Sequence, residues 1–153
     1  FRLDDKSGAI DATADEALLN AHRSTLKDDE LVIVSGRLQP GRGGFEPRFQ
    51  VQQVWDLAAA RCRFGKFLRV AVNGKAPDIA RLMKDFPPKR EVSEQGELLR
   101  GLGVRLTLQR QSDSAAAAAE LQLGDEVRFF PTDAALASWM AQADQGQAAI
   151  VYD

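Results

Sequence analysis

Residues 121–153 read LQLGDEVRFFPTDAALASWMAQADQGQAAIVYD, and this stretch decides how the chain is taken. Gly124-Asp125 separates one extended run from a second, Glu126–Phe130. Pro131-Thr132-Asp133 is a helix start, where Thr132 or Asp133 can accept from the free amides of the first turn. Leu136, Trp139, Met140 and Ala143 follow at i, i+3, i+4 and i+7, one apolar helical stripe. Gly146 stops that helix, and Ala148–Tyr152 predicts a closing strand. A strand–helix–strand unit is expected to build this end of the chain into a sheet, with the other strands supplied from upstream.

Those strands can be sought by walking backwards. Val104–Gln109 alternates cleanly and predicts a strand. The alanine run Ala115–Ala119 has helical propensity. It follows a turn at Gln111–Ser114, however, and Ala117, Ala119, Leu121 and Leu123 fall on one alternating face. A strand paired with Val104–Gln109 is expected there. Lys66–Val72 is another strand, turned by Asn73-Gly74. Pro77 suits a first helical turn, and Ile79, Leu82, Met83 and Phe86 form a helical stripe that Pro87-Pro88 ends. Lys89–Gly103 reads as a loop or connector. The second part of the chain, residues 61–153, is thus expected to be β-α-β-β-β-α-β, two helices on one face of a largely antiparallel sheet.

Residues 1–60 have a different order. Phe1–Leu3 and Ala9–Thr13 flank the turn Asp4–Gly8, Asp15–Arg23 is helical, and Leu31–Leu38 is a β-branched run suited to a buried strand. After the Gly-rich loop Gln39–Gly44, Phe49, Val51 and Val54 alternate with polar residues until a bulge or twist intervenes. Hairpin, helix, strand, loop, strand is the end of a five-stranded Greek-key barrel of the oligonucleotide-binding (OB) type, with its first strand missing. Leu57–Cys62 is expected to join the two parts directly. The fold class is α+β, an incomplete OB-type barrel followed by a small α/β domain.

Composition narrows the function classes. The apolar fraction is 44% and the charged fraction 27%, those of a globular protein, and no apolar run approaches bilayer length. A start at Phe1 without Met suggests a fragment. A single cysteine, Cys62, suits a reducing cytoplasm. The net charge of −2 conceals an asymmetry. Residues 1–60 carry 7 Lys/Arg against 10 Asp/Glu, residues 61–110 carry 12 against 5, and residues 111–153 carry 1 against 7. The basic middle reads either as a nucleic-acid surface or, more plainly, as a solvated and partly self-compensating one.

Catalytic parts are not in evidence. His22 is the only histidine, on the apolar side of a short helix, where packing is its ordinary role. Cys62 has no CxxC partner for zinc. Gly41–Gly44 lacks the Lys-Ser/Thr of a P-loop, and Asp4-Asp5 and Asp28-Asp29 sit in turns that favour Asp for conformational reasons. Neither a catalytic residue, a metal ligand nor a cofactor is expected. Binding remains. In an OB-type barrel, cations and aromatics track single strands, and here Arg37, Arg42, Phe45 and Arg48 are the candidates. Phe49 is as suited to the barrel core.

The order of FRLDDKSGAIDATADEALL, LVIVSGRL with its Gly-rich loop, RFGKFLRVAV, GVRLTL, LQLGDEVRFFPTDAALASWM and IVYD resembles the C-terminal end of the bacterial DNA polymerase III alpha subunit. The resemblance spans nearly the whole chain and lies in order and spacing, with no single diagnostic motif. The missing first strand, the modestly basic Gly-rich loop and the Ala115–Ala119 run depart from the pattern. The resemblance implies an OB part contacting single-stranded template DNA weakly, and a terminal domain docking the tau subunit of the clamp-loader complex. The polymerase active site would lie upstream, outside these residues. Phe130, Trp139, Met140, Ile150, Tyr152 and Asp153 are the candidate partner-binding residues, aromatics and Met being enriched in interface cores. A cytoplasmic, monomeric fragment with no membrane contact is expected. A single-stranded nucleic-acid-binding OB module with a structural appendage is the alternative, and a bracing scaffold a third reading.

Overall fold

A computed structural model describes residues 1–153. The chain is α+β, with four α-helices and strands arranged in open sheets. It divides into two compact units, Phe1–Leu57 and Ala58–Asp153.

In the first unit, β1 (Arg2–Asp5) and β2 (Gly8–Thr13) form a hairpin, followed by α1 (Glu16–Ala21), β3 (Ile33–Gln39) and β4 (Arg48–Trp55). Asp15 caps α1, its carboxylate accepting from the Leu18 amide at 2.7 Å. The strand order is β1-β2-β4-β3, with β2 parallel to β4 and the other two pairings antiparallel. This sheet is not a closed barrel: β1 and β3 remain its two edges. The buried core is correspondingly small, consisting of Ala12, Val51 and Val54 with Leu3, Leu18, Leu26, Val34 and Phe49 packed against it.

A bulge does interrupt β4. Ser35 opposes Gln53 while Gly36 opposes Val51, so Gln52 is the extra residue. One added residue shifts the two-residue period by one, which is why Val51 and Val54, three apart, are both buried. Gly36 serves this close approach, since a Cβ there would overlap the carbonyl oxygen of Gln50.

The segment Leu57–Cys62 that joins the two parts lies in a helix, α2 (Leu57–Phe64), whose first turn, Leu57-Ala58-Ala59-Ala60, consists of strong helix formers. There follow β5 (Phe67–Ala71), α3 (Ile79–Asp85), β6 (Lys89–Ser93), β7 (Gly96–Arg100), β8 (Gly103–Ser112), β9 (Ala115–Gln122), α4 (Asp133–Gln142) and β10 (Ala148–Val151). The main sheet has the order β10-β5-β8-β9, parallel between β5 and β8 and antiparallel elsewhere. The alanine run is a strand, eight residues paired with β8 from Ser112↔Ala115 to Arg105↔Gln122.

Two expectations fail here. Lys89–Gly103 is not a loop: β6 and β7 form a hairpin of their own, pairing Lys89 with Arg100 through to Ser93 with Gly96. Gly96, at φ +121°, supplies the left-handed backbone that ends its two-residue turn. Conversely, Glu126–Phe130 is not a strand. Val127 donates to the Gly124 carbonyl in a turn, and pairing is confined to one bridge, Phe129 with Leu102.

Alternation sets the two faces of the main sheet. Leu68, Val70 and Val72 from β5 and its continuation join Val104 and Leu106 of β8 in one buried cluster. Leu82 of α3 and Ala135 and Trp139 of α4 complete that cluster, so both helices cover the same face. Phe129 reaches it too, 5.5 Å from the Trp139 ring at a tilt of 46°. The opposite face carries Phe67, Arg69, Arg105, Thr107 and Glu120. Helix α4 is capped as the sequence suggests, with Thr132 Oγ1 accepting from the Ala135 amide at 3.1 Å. Its buried stripe is shifted, however. Ala135 and Trp139 are at 0% exposure whereas Met140 is 45% exposed. Ala135 and Trp139, four apart, lie on the line that faces the sheet, and Met140, one position on, is turned about 100° away from Trp139.

Candidate functional site

Two separate surfaces collect the residues singled out from the sequence. In the first unit, Arg37 lies on β3, Arg42 and Phe45 in the connecting loop, and Arg48 at the start of β4, so all four belong to one β3–loop–β4 hairpin. All are exposed, Phe45 at 76%, as is Leu38 of β3 at 61%. Phe49, by contrast, is half-buried and packs on the small core. The loop is shaped by Gly43 and Gly44 at φ +62° and +89°, with the Phe45 amide donating to the Arg42 carbonyl. An exposed aromatic on the same hairpin as three exposed arginines is a combination suited to stacking a base and neutralising phosphates.

In the second unit, the six candidates separate by burial. Phe130 is 8% exposed and Trp139 0%, so both belong to the interior, and Lys89 Nζ lies 4.2 Å over the Phe130 ring. Ile150 of β10 packs against the core cluster. Of the six, Met140 and Tyr152 are the large apolar side chains left outside, at 45% and 47% exposure. Asp153 reaches Lys66 Nζ at 3.2 Å in an exposed ion pair. The presentable surface is therefore Met140 on α4 and Tyr152-Asp153 after β10.

The remaining acidic pairs behave as turn residues. One oxygen of Asp5 accepts from Ser7 Oγ at 2.6 Å, the Ser7 amide at 2.8 Å and the Gly8 amide at 3.1 Å. The Ser7 hydroxyl, followed by the two amides, holds the Asp5 carboxyl below its ordinary value of 3.8. Asp29 adopts φ +60°, a turn conformation Asp tolerates. No group of three or more His, Cys, Asp or Glu stands together in a metal-holding cluster. No helix is long and apolar enough to cross a membrane.

The sequence reading missed a third feature, a cavity of about 80 Å³ lined by Lys66, Arg105 and Arg128. These residues lie in three separate segments, and only the β5–β8 pairing and the turn before α4 bring them together. Spacing along the chain could not have revealed it. The fold and its surfaces define an α+β chain of two units with exposed basic-aromatic and apolar patches. No protein-family model and no curated protein matches it.

Proposed function

We propose that this chain is a non-catalytic docking region of a replicative DNA polymerase, the C-terminal part of a DNA polymerase III alpha subunit. It acts in the cytoplasm as a monomer, without a cofactor of its own, and engages the tau subunit of the clamp-loader complex. Its first unit is an incomplete OB-type barrel in this reading. The observation that carries the proposal is the exposure of Met140 and Tyr152 where the neighbouring aromatics Phe130 and Trp139 are buried. Side chains of these types, desolvated by a partner, supply much of an interface's energy. The order and spacing of segments resembling that polymerase name the partner.

Deletion of the last residues is a poor test, because Ala148–Val151 form β10 and pair with β5 from Val70 to Phe67. Substitution is cleaner. Purified tau subunit should bind the chain, and Met140→Ala with Tyr152→Ala should weaken that binding at least tenfold with the fold intact. Undiminished binding by the folded double variant would sink the reading.

The exposed hairpin of Arg37, Arg42, Phe45 and Arg48 favours a second activity, weak contact with single-stranded DNA. Fluorescence anisotropy with a labelled oligonucleotide at low salt measures it. Affinity should fall steeply as salt rises and fall again in Arg42→Ala/Arg48→Ala.

A further inference from the structure

We propose that the cavity between Lys66, Arg105 and Arg128 in the second unit is a phosphate-binding site. Lys66 leads into β5, Arg105 lies on β8 and Arg128 in the segment before α4, so three basic residues from three segments line one small space. Gly103 helps to keep it open, since a Cβ there would meet no atom within 4 Å.

Two of the cations are held in place already. The Arg105 guanidinium stacks 3.9 Å from the Phe67 ring centroid. Arg128 donates through Nε to the Asp125 carbonyl at 3.2 Å and through Nη1 to the Gly101 carbonyl at 3.4 Å. Guanidinium groups fixed in this way lose little freedom on binding and offer paired N–H donors to an oxyanion.

Each of the three cations has a carboxylate partner, Asp125 among the cavity's own lining, and a phosphate must displace or share these acids. Lys66 pairs with Asp153 at 3.2 Å and Arg128 with Asp125 at 3.8 Å, and these carboxylates are 96% and 91% exposed. Exposed pairs of this kind contribute little, and either carboxylate can swing into water. Glu120 holds Arg105 more closely at 3.0 Å and also stands 3.9 Å from Arg69. Glu126 lies against Gly124. A planar carboxylate ligand would satisfy one guanidinium fork. A tetrahedral phosphate presents oxygens towards all three cations, and a cavity of about 80 Å³ suits one such group rather than a nucleotide. Anything attached to the phosphate would extend along the open sheet face past Phe67 and Arg69.

Amide NMR titration of the whole chain tests this, with inorganic phosphate in one arm and a short single-stranded oligonucleotide in the other. Sodium chloride at matched ionic strength is the control. Phosphate should shift the amides of Gly103, Gly124 and Arg128, and chloride should not. Equal shifts with chloride, or shifts that spare these amides, overturn the proposal. Arg105→Gln with Arg128→Gln should weaken phosphate binding about tenfold or more. Gly103→Val keeps every charge, fills the space and should weaken it too, which covers the case in which the charge variant does not fold. Unchanged binding by folded Gly103→Val also overturns the proposal. Tighter binding of the oligonucleotide, with shifts spreading to Phe67 and Arg69, identifies a phosphodiester. Equal affinity in the two arms identifies a free phosphate group.

Discussion

Arg61 Nη1 stands 2.7 Å from Asp133 Oδ1 and 3.0 Å from the carbonyl oxygen of Pro131, and one side chain thereby fixes the entry to α4. The two partners are unequal. Arg61 is 15% exposed in its side chain and Asp133 82%. Arg61→Ala strips a donor from a buried carbonyl as well as the ion pair, and should destabilise the second unit by about 1–3 kcal/mol. Asp133→Ala removes an exposed acid from a helix N-terminus, which costs about 0.3–1 kcal/mol. Hydrogen exchange of the Leu68 and Val70 amides reads the second unit alone, and an equal effect of both variants would contradict this asymmetry.

The close approach at Gly36 gives a second expectation. A methyl group there overlaps the Gln50 carbonyl, which is backbone and cannot turn aside. Gly36→Ala should cost the first unit about 1–3 kcal/mol, in the range of an overpacked core. Gly8→Ala, where a Cβ meets nothing within 4 Å, is the matched control and should change stability by less than about 0.5 kcal/mol. Thermal unfolding of the two variants, followed by amide signals of β4, separates them.

How much of this was legible in the sequence follows from what each signal depends on. Thr132 as a cap and Ala115–Glu120 as a strand were readable because both depend on near neighbours: a free helix amide in one case, a preceding turn and alternation in the other. The β6–β7 hairpin was not, because it has no apolar alternation: Val92 pairs with Glu97, Leu98 with Glu91 and Leu99 with Arg90, and both strands are largely exposed. Gly96 after Glu94-Gln95 was the available clue. Glu126–Phe130 misled for the opposite reason. It has the composition of a strand, but Phe129 is held by a single bridge and by burial against Trp139. The basic-aromatic hairpin of the first unit was legible as a cluster in sequence. The Lys66–Arg105–Arg128 cavity was not, since its members meet only through tertiary pairing.

Asp5 yields an expectation for acid conditions. Its carboxyl titrates below 3.8 in the folded chain because the Ser7 hydroxyl and two amides stabilise the charged form. A depressed folded value means that the contribution to stability is present above the unfolded value and is lost as pH falls through the folded one. The β1–β2 turn should therefore loosen only below pH 3.8. Ser7→Ala should move the Asp5 titration back up towards that value. A carboxyl-carbon NMR titration checks it, and an unmoved Asp5 in the variant would remove Ser7 as the main cause.

Trp139 and Met140 are adjacent on α4 and should separate stability from docking. Trp139 is fully buried, and its indole N–H has no hydrogen-bond partner. Trp139→Ala leaves a large cavity among Leu68, Val70, Phe129 and Ala135, and should cost about 3–5 kcal/mol. Trp139→Phe opens a smaller space and also removes the unpaired donor, an offset that should hold the cost below about 2 kcal/mol. Met140 is nearly half exposed, and Met140→Ala should change stability by no more than about 0.5 kcal/mol. Calorimetric unfolding of the three variants ranks them. Binding to the tau subunit then discriminates, because Met140→Ala should weaken it without moving the unfolding transition. Trp139→Phe, while folded, should leave binding as it was. Were Trp139→Phe the more damaging to binding, the docking surface would lie on another face of α4 than the one carrying Met140.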